Sequence, residues 1–206
     1  MKVLLVNGSY HENGCTYTAL CEVAKALNAN GVETEIYQLA QHTVNGGCMG
    51  CWGCKTSKAC VIDDGVNEFV KKAAEFDGYV FGSPVYYASA SGALIGFMDR
   101  VFYSGGRSLA FKPAAAVVSC RRAGTTATFD VINKYFTLNN MPIVSSNYWN
   151  AVHGNTAEEV LQDEEGLQTM RLLGNNMAWM VKCLDLGKKY GLEPLTERKI
   201  RTNFIR

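Results

Sequence analysis

The opening stretch of the chain, Met1 to Tyr17, constrains the fold more than any other. Residues 2–7 form an aliphatic run without polar alternation, which is typical of a strand covered on both faces by helices. A polar loop bounded by Gly8 and Gly14 follows, and apolar residues at helical spacing then begin. This order of strand, loop and helix points backbone N–H groups and hydroxyls at one spot beside the positive end of the helix dipole, which suits a phosphate.

The loop differs from the two commonest phosphate loops. Cys15 stands where a P-loop has lysine, and Tyr10 interrupts the spacing of a dinucleotide-binding glycine motif. A loop that offers hydroxyls and amides without a lysine suits a cofactor that stays bound better than a triphosphate that is cleaved. A turn that merely joins a strand to a helix is the alternative that this loop leaves open.

Composition bounds the class of protein. The chain has 206 residues, 48% of them hydrophobic and 19% charged, with a formal net charge of +1, which is typical of one globular domain with a sizeable core. This charge balance argues against nucleic-acid and membrane-surface partners. No apolar run approaches the ~20 residues of a membrane span, and the N-terminus lacks a signal-peptide layout. We therefore expect a cytoplasmic protein.

Further strands are predicted at residues 33–39, 78–84, 113–120 and 142–145, with helical patterns between most of them. Strands that alternate with helices predict a parallel sheet with right-handed crossovers. Ligands of such sheets bind beyond the carboxyl ends of the strands, so the loops after the first, third and fourth strands should gather there.

These three loops carry complementary chemistry. The first offers hydroxyls and amides to a phosphate, and the second offers the flat faces of Tyr86 and Tyr87 to a ring system. The third offers backbone amides, Ser119 and two arginines, Arg121 and Arg122. A phosphate at one end, an aromatic plane and donors at a polar ring edge together describe flavin mononucleotide, FMN.

Half of the eight cysteines form a compact cluster with the spacing C-x2-C-x2-C-x5-C. Three thiolates at i, i+3 and i+6 in a glycine-containing loop can wrap three corners of a cubane, and the longer step brings the fourth round the other side. Zinc usually takes two separated pairs, and a cytoplasmic chain disfavours a disulfide. A [4Fe–4S] cluster is the favoured interpretation, and zinc, free thiols or a disulfide are the alternatives. The four candidate metal ligands are Cys48, Cys51, Cys54 and Cys60.

Three motifs carry a resemblance to a known family: residues 7–9 with Gly14 and Thr16, residues 82–87, and Phe97-Met98-Asp99-Arg100. Together they resemble the flavodoxin-like NAD(P)H-dependent FMN reductases, and the cysteine cluster is similar to that of the iron–sulfur flavoprotein branch. The resemblance spans residues 1 to about 153.

The resemblance implies a flavodoxin-like three-layer α/β/α sandwich with a five-stranded parallel sheet in the order 2-1-3-4-5. We predict an FMN-binding domain over residues 1–191, with a cysteine-rich loop at 43–62, and a C-terminal tail at 192–206.

The resemblance also implies that the first loop holds the FMN phosphate and that the isoalloxazine ring lies along the second. The family often has Arg and Asn where this chain has His11 and Cys15. A histidine near its unperturbed pKa of about 6.5 is only partly charged at neutral pH, so phosphate affinity need not follow the family. The cofactor-binding candidates are Ser9, His11, Asn13, Gly14, Cys15, Thr16, Pro84, Val85, Tyr86, Tyr87, Ser89, Ser119, Arg121, Arg122 and Gly124.

The arginines of the third loop suggest a role in tuning the flavin. Hydride arriving at the ring pushes negative charge onto its N1/C2=O edge, where donors or a cation stabilise the reduced form. The hypothesis is that Arg121 or Arg122, with amides near Gly124, supplies this. The alternative is that both are solvated loop residues.

We therefore expect an FMN-dependent oxidoreductase with NAD(P)H as co-substrate, assembled as a homodimer or homotetramer. Electrons would pass from the nicotinamide, or from a protein donor through the cluster, to a small-molecule or protein acceptor. No proton-shuttling residue is demanded, so none is predicted. The alternatives are a non-enzymatic flavodoxin-type electron carrier and a zinc-stabilised binding module.

Overall fold

The computed structural model describes residues 1–202 and 204. Strands and helices alternate along most of the chain, as the sequence predicts. The strands are β1 (Lys2–Asn7), β2 (Glu33–Gln38), β3 (Gly78–Tyr86), β4 (Ser89–Ala90), β5 (Ala114–Cys120) and β6 (Ala151–His153). The helices are α1 (Cys15–Ala29), α2 (Cys54–Ser57), α3 (Gly65–Ala73), α4 (Gly92–Leu109), α5 (Thr125–Leu138), α6 (Ala157–Val160) and α7 (Glu164–Lys189).

Five of the strands form a parallel sheet in the order β2-β1-β3-β5-β6. In the register, Leu5 of β1 lies between Ile36 of β2 and Val80 of β3. The inner strands are aliphatic because both of their faces are buried under helices. The predicted flavodoxin-like fold is confirmed. The predicted strand order 2-1-3-4-5 is confirmed too, with β5 and β6 as its fourth and fifth parallel strands.

The described residues form six strands rather than the predicted five, because a short strand outside the parallel order, β4, is added. Beyond Ser83 the chain stays extended to Tyr86 and folds back, so that β4 pairs antiparallel with β3. The turn consists of Tyr87 and Ala88, whose φ angles are 50° and 57°. Two successive left-handed residues make a two-residue hairpin turn that follows the twist of the strands.

The edge strand also lies later than the sequence predicts. Residues 142–145 make one isolated bridge, between Ile143 and Ala114, and the ladder resumes only at β6. Between them the Asn150 side chain donates a hydrogen bond to the Ala116 carbonyl, at 3.0 Å. Because this side-chain amide replaces a backbone donor, the Ala116 carbonyl stays hydrogen-bonded although the segment between residue 145 and β6 does not pair with β5.

Helices cover both faces of the sheet and divide the core in two. On one face, α3, α4 and α5 enclose Leu4, Phe81 and Phe97, while on the other α1 and α7 enclose Leu5 and Met177. Burial of each such side chain stabilises the fold by about 1.5–3 kcal/mol. The sheet is therefore held rigidly, and so are the points where its strands end.

Helices α1 and α7 meet at Gly174. A methyl group at this position would lie 2.6 Å from Ala26 Cβ and 2.7 Å from the Val23 carbonyl oxygen of α1. The two backbones therefore approach as closely as a glycine permits.

Helix α7 ends at Lys189, and residues 190–202 are exposed and without helix or strand. Part of the predicted tail, residues 203, 205 and 206, lies outside the described residues, and the boundary after residue 191 stays a prediction. No helix within residues 1–202 combines the length and the apolar character needed to cross a bilayer.

Candidate functional site

The first two strand-end loops are bonded to each other. The Gly8 N–H donates to the Gly82 carbonyl at 2.9 Å, and the Ser91 hydroxyl donates to the Gly8 carbonyl at 2.8 Å. Ser91 is also bonded through its N–H to the buried Ser83 hydroxyl, at 3.0 Å. The loop after β1 is thus fixed against the end of β3.

The third loop closes on both of the others. The hydroxyls of Thr16 and Ser119, both buried, share a hydrogen bond of 2.8 Å. Gly124, with φ 91°, lies so close to the β3–β4 turn that a methyl group there would come within 2.8 Å of Val85 and 2.9 Å of Ala88. The three loops predicted to gather at one edge therefore do so at the carboxyl ends of β1, β3 and β5, where the topology of the sheet predicts a ligand crevice.

The loop after β1 is organised by Asn7, a residue outside the candidate set. Its side-chain oxygen accepts from the Ser9 N–H at 3.2 Å, and its amide donates to Gln38 of β2 at 2.7 Å. The Ser9 hydroxyl in turn accepts from the His11 N–H at 3.1 Å. The loop therefore curls around its own polar groups, and the buried Ser9 hydroxyl lies at its centre.

Two helices that begin at this crevice lack a side-chain cap within the described residues. Gly14 is the N-cap of α1 and Gly124 that of α5. By contrast, α3, α4 and α7 are capped by Asp64, Ser91 and Asp163. The first-turn N–H groups of α1 and α5 are thus left without side-chain acceptors, as an anion-binding helix terminus requires.

Cys15 is the first residue of α1 and contacts the turn after β6. Its thiol donates to the Gly154 carbonyl at 3.5 Å. Burial raises the pKa of this thiol, a backbone hydrogen bond opposes the shift, and the carboxylates of Glu159 and Glu158 add to it. Cys15 is therefore a neutral thiol at pH 7. Sequence reasoning missed Gly154 because it placed the edge strand at residues 142–145.

The second loop presents aromatic rings to solvent. Tyr86 is 46% exposed and Tyr87 is 106% exposed, while Pro84, Val85 and Ser89 are half-buried beneath them. The left-handed turn pushes Tyr87 clear of the body of the protein. Both phenol rings are thus free to pack on a planar ligand.

The remaining candidates are exposed residues of the loops after β1 and β5. Arg121 and Arg122 occupy the turn between β5 and α5, and both side chains are exposed. His11 and Asn13 are exposed in the loop after β1. These positions agree equally with a role at the cofactor edge and with solvated loop residues.

The clustered cysteines line one cavity, on which Trp52, Tyr103 and Arg100 also border. All four are free thiols, the first two exposed and the last two half-buried. They are Cys48, Cys51, Cys54 and Cys60. In the described part of the chain, no three metal-ligating side chains converge tightly enough to hold a single ion. The thiols instead surround a shared space.

Arg100 of α4 closes the base of this cysteine loop. Its guanidinium makes two bonds of 2.8 Å to Asp64, and both side chains are almost fully buried. It also donates to the Ile62 carbonyl at 3.0 Å, the Gly46 carbonyl at 3.4 Å and Cys60 Sγ at 3.3 Å. The two ends of the loop are thereby tied to one side chain.

The electrostatics of this pair favour full ionisation. Burial opposes the charge on Asp64, but hydrogen bonds from Arg100 and from the Asn45 and Val66 amides hold the pKa of its carboxyl below the ordinary value. Burial likewise opposes the charge on Arg100, and its bonds to Asp64 and Cys60 raise the guanidinium pKa above the ordinary value. The cavity is thus bordered by a fixed cation with a donor aimed at sulfur.

The sheet order and the crevice at its switch point define a flavodoxin-like domain. Residues 1–156 match the family described as NADPH-dependent FMN reductase. An iron–sulfur flavoprotein of Methanocaldococcus jannaschii is 34% identical over 195 residues, which span 89% of this chain and 99% of that protein.

Solved structures agree on the fold. RosB, with a bound 8-demethyl-8-formylriboflavin-5'-phosphate intermediate, superposes with a TM-score of 0.73 at 13% identity, over 100% of this chain and 92% of its own. A flavodoxin from the domain Archaea gives 0.62 at 16% identity, over 88% and 99%.

The chain belongs to the NADPH-dependent FMN reductase family. The resemblance inferred from the sequence, including that to iron–sulfur flavoproteins, is confirmed. The protein is accordingly an FMN-dependent oxidoreductase that uses a nicotinamide donor.

Proposed function

We propose that FMN binds in the crevice at the carboxyl ends of β1, β3 and β5, and that the four clustered cysteines bind a [4Fe–4S] cluster. The single observation that carries the flavin site is the convergence of the three loops, with two uncapped helix N-termini directed at it. Bound FMN would supply the chemistry of hydride acceptance and electron delivery.

The phosphate would be held by the loop after β1. The Ser9 hydroxyl accepts from the His11 N–H, so its own O–H can donate to a phosphate oxygen. Thr16 and the neutral Cys15 thiol stand in the first turn of α1, beside its unbonded N–H groups. With no lysine in the loop, binding would rest on these donors and on the helix dipole.

The isoalloxazine ring would lie along residues 84–89, where exposed aromatic rings are available for packing. The uncapped first turn of α5, after Gly124, would direct donors at the N1/C2=O edge. Arg121 and Arg122 would add positive charge near that edge. The polypeptide would thus orient the ring and stabilise its reduced form.

Three observations support the cluster. The thiols share one cavity, its lining is largely apolar, and a buried guanidinium donates to one of the sulfurs. The cysteine spacing and the iron–sulfur name of the M. jannaschii relative point the same way. A cysteine-bound cluster would supply one-electron transfer beside the two-electron flavin.

We also propose a cytoplasmic homodimer or homotetramer that passes electrons from NAD(P)H, or from a protein donor, to a small-molecule or protein acceptor. Large exposed apolar side chains, among them Tyr103 at 59% and Trp179 at 65%, are consistent with contact between subunits. Sedimentation of the holoprotein tests the assembly, and oxidation rates of NADH and NADPH with a small quinone test the donor.

The test of the two cofactors is anaerobic purification with iron, sulfide, zinc and FMN assays. We expect one FMN and about four irons per chain, as the cubane requires. Cys51→Ser should lose the iron and retain FMN, while the control Cys183→Ser, an exposed cysteine of α7, should retain both. Zinc in place of iron would overturn the cluster, and protein that cannot take up FMN would overturn the flavin site.

A further inference from the structure

We propose that Arg100 is a positioning residue that anchors Cys60 and raises the reduction potential of the cluster through an Nε–H···Sγ hydrogen bond. This inference rests on the proposed [4Fe–4S] site. Arg100, a side chain of α4, would thus influence the reduction potential of the cluster in addition to the four cysteines.

The donors of Arg100 are fully used. A guanidinium has five N–H groups, and here its terminal nitrogens bond Asp64, Ile62 and Gly46 while Nε bonds Cys60 Sγ. Closing the base of the loop requires only the terminal nitrogens. The remaining donor is directed at a predicted cluster ligand, at 3.3 Å.

Cys60 is held through its backbone as well as through its sulfur. Its N–H donates to Asn67 Oδ1 at 2.9 Å, and Asn67 Nδ2 donates back to its carbonyl at 3.0 Å. Cys48 and Cys51, by contrast, are exposed. Asn67 fixes the backbone of Cys60 and Arg100 fixes its sulfur, so Cys60 would provide a preformed corner on which the cluster assembles.

The sign of the effect on potential follows from charge. Adding an electron makes the ligand sulfurs more negative, so a hydrogen bond to sulfur is stronger in the reduced state and raises the potential. Arg100 is only 2% exposed, and a hydrogen bond from such a buried side chain is weakly screened. The Asp64 carboxylate lies on the far side of Arg100 from Cys60 in this bonding chain and works in the opposite direction.

The test is an EPR-monitored redox titration of anaerobic holoprotein with two variants. Arg100→Met combined with Asp64→Asn removes the pair without leaving a buried unpaired charge. Asp64→Asn alone keeps the donor to Cys60. We expect a more negative cluster potential in the double variant and an unchanged or more positive one in the single variant. The flavin potential, read in the same titration, should stay constant in both.

Three outcomes overturn the tuning of the cluster, and one supports the anchoring of Cys60. A double variant with the wild-type cluster potential would show that the bond does not tune the cluster. Equal shifts in both variants, or a flavin potential that moves with them, would indicate general loosening of the loop. A double variant that binds FMN but no cluster, while the single variant binds both, would support the anchoring of Cys60.

A second measurement needs no substitution. In wild-type protein labelled with ¹⁵N-arginine, electron spin echo spectra of the reduced cluster should show coupling to a single arginine nitrogen. Absence of coupling in protein that contains the cluster would overturn the Arg100 assignment alone. Absence of any cluster in wild-type protein would overturn the proposed metal site, and the assignment with it, so the two failures are distinguishable.

Discussion

The strand-end crevice and the cysteine loop differ in how they are held. The crevice is formed by buried strands whose end loops bond to one another, as in the pairs Gly8–Gly82 and Thr16–Ser119. The cysteine loop contains one short helix, α2, and left-handed residues such as Trp52 and Lys58. Its base depends on the Arg100–Asp64 pair. The fold itself builds the first site, whereas the second is held by a few side-chain bonds at the base of an irregular loop.

The largest expected effect is on the pair beneath the cysteine loop. Arg100→Met should lower the free energy of unfolding of the cluster-free protein by about 3–5 kcal/mol, because it leaves Asp64 buried and unpaired. Adding Asp64→Asn to Arg100→Met should restore most of the lost free energy of unfolding, because no buried charge is then left unpaired. Urea unfolding of both variants measures this. If the free energy of unfolding of Arg100→Met lies within about 1 kcal/mol of the wild-type value, the loop does not depend on this pair.

The crevice should respond to added volume at Gly8. A methyl group there would lie 2.8 Å from the Gly82 carbonyl oxygen and 2.9 Å from Leu94 Cβ. Gly8→Ala should therefore cost about 1–3 kcal/mol of stability and weaken FMN binding. The control is Gly92→Ala in α4, where nothing lies within 4 Å. Equal stability of the two variants would show that the crevice is less tightly built than described.

Phosphate binding should depend on Thr16. Thr16→Ala removes the hydroxyl that pairs with Ser119 and faces the loop, and should weaken FMN binding about tenfold, or ~1.4 kcal/mol. Flavin fluorescence titration of the cofactor-free protein measures the change. Thr34→Ala is the matched control, because it removes a β2 hydroxyl that donates to the side-chain oxygen of Asn28 in α1. An unaltered affinity in Thr16→Ala would remove this residue from the phosphate site.

The smallest effect concerns the hairpin turn. Ala88→Gly should stabilise the protein by about 0.5–1 kcal/mol, because glycine adopts the left-handed conformation without a Cβ clash. Ala90→Gly in β4, at a buried position with an extended backbone, should instead destabilise it. Thermal unfolding of the two variants separates these signs. Destabilisation by Ala88→Gly would contradict the strained turn.

What the sequence predicts well is local. The run at residues 2–7, the loop after it and the apolar periodicity of α1 are contiguous, so they predict the start of the fold and the first wall of the crevice. The order of the strands follows from the resemblance to a known family.

What the sequence misses depends on contacts between distant segments or on unusual turn residues. The β3–β4 hairpin escapes prediction because Tyr87-Ala88 lacks the usual Asn-Gly signal. The edge strand is misplaced because the side chain of Asn150 replaces a backbone donor. Arg100 is visible as part of a motif, but its contact with Cys60, 40 residues away in sequence, appears only in the folded chain.

The contact between α7 and α1 at Gly174 bears on the proposed cofactor site, because it fixes the position of α1. Helix α1 follows the loop after β1 at its N-terminal end and packs against Gly174 of α7 through its C-terminal half. Any side chain at position 174 would overlap with α1, so α1 would have to move relative to α7 and to the sheet. In the proposed site, the position of the phosphate-binding loop would therefore depend on a residue that contacts the opposite half of α1 and not the nucleotide.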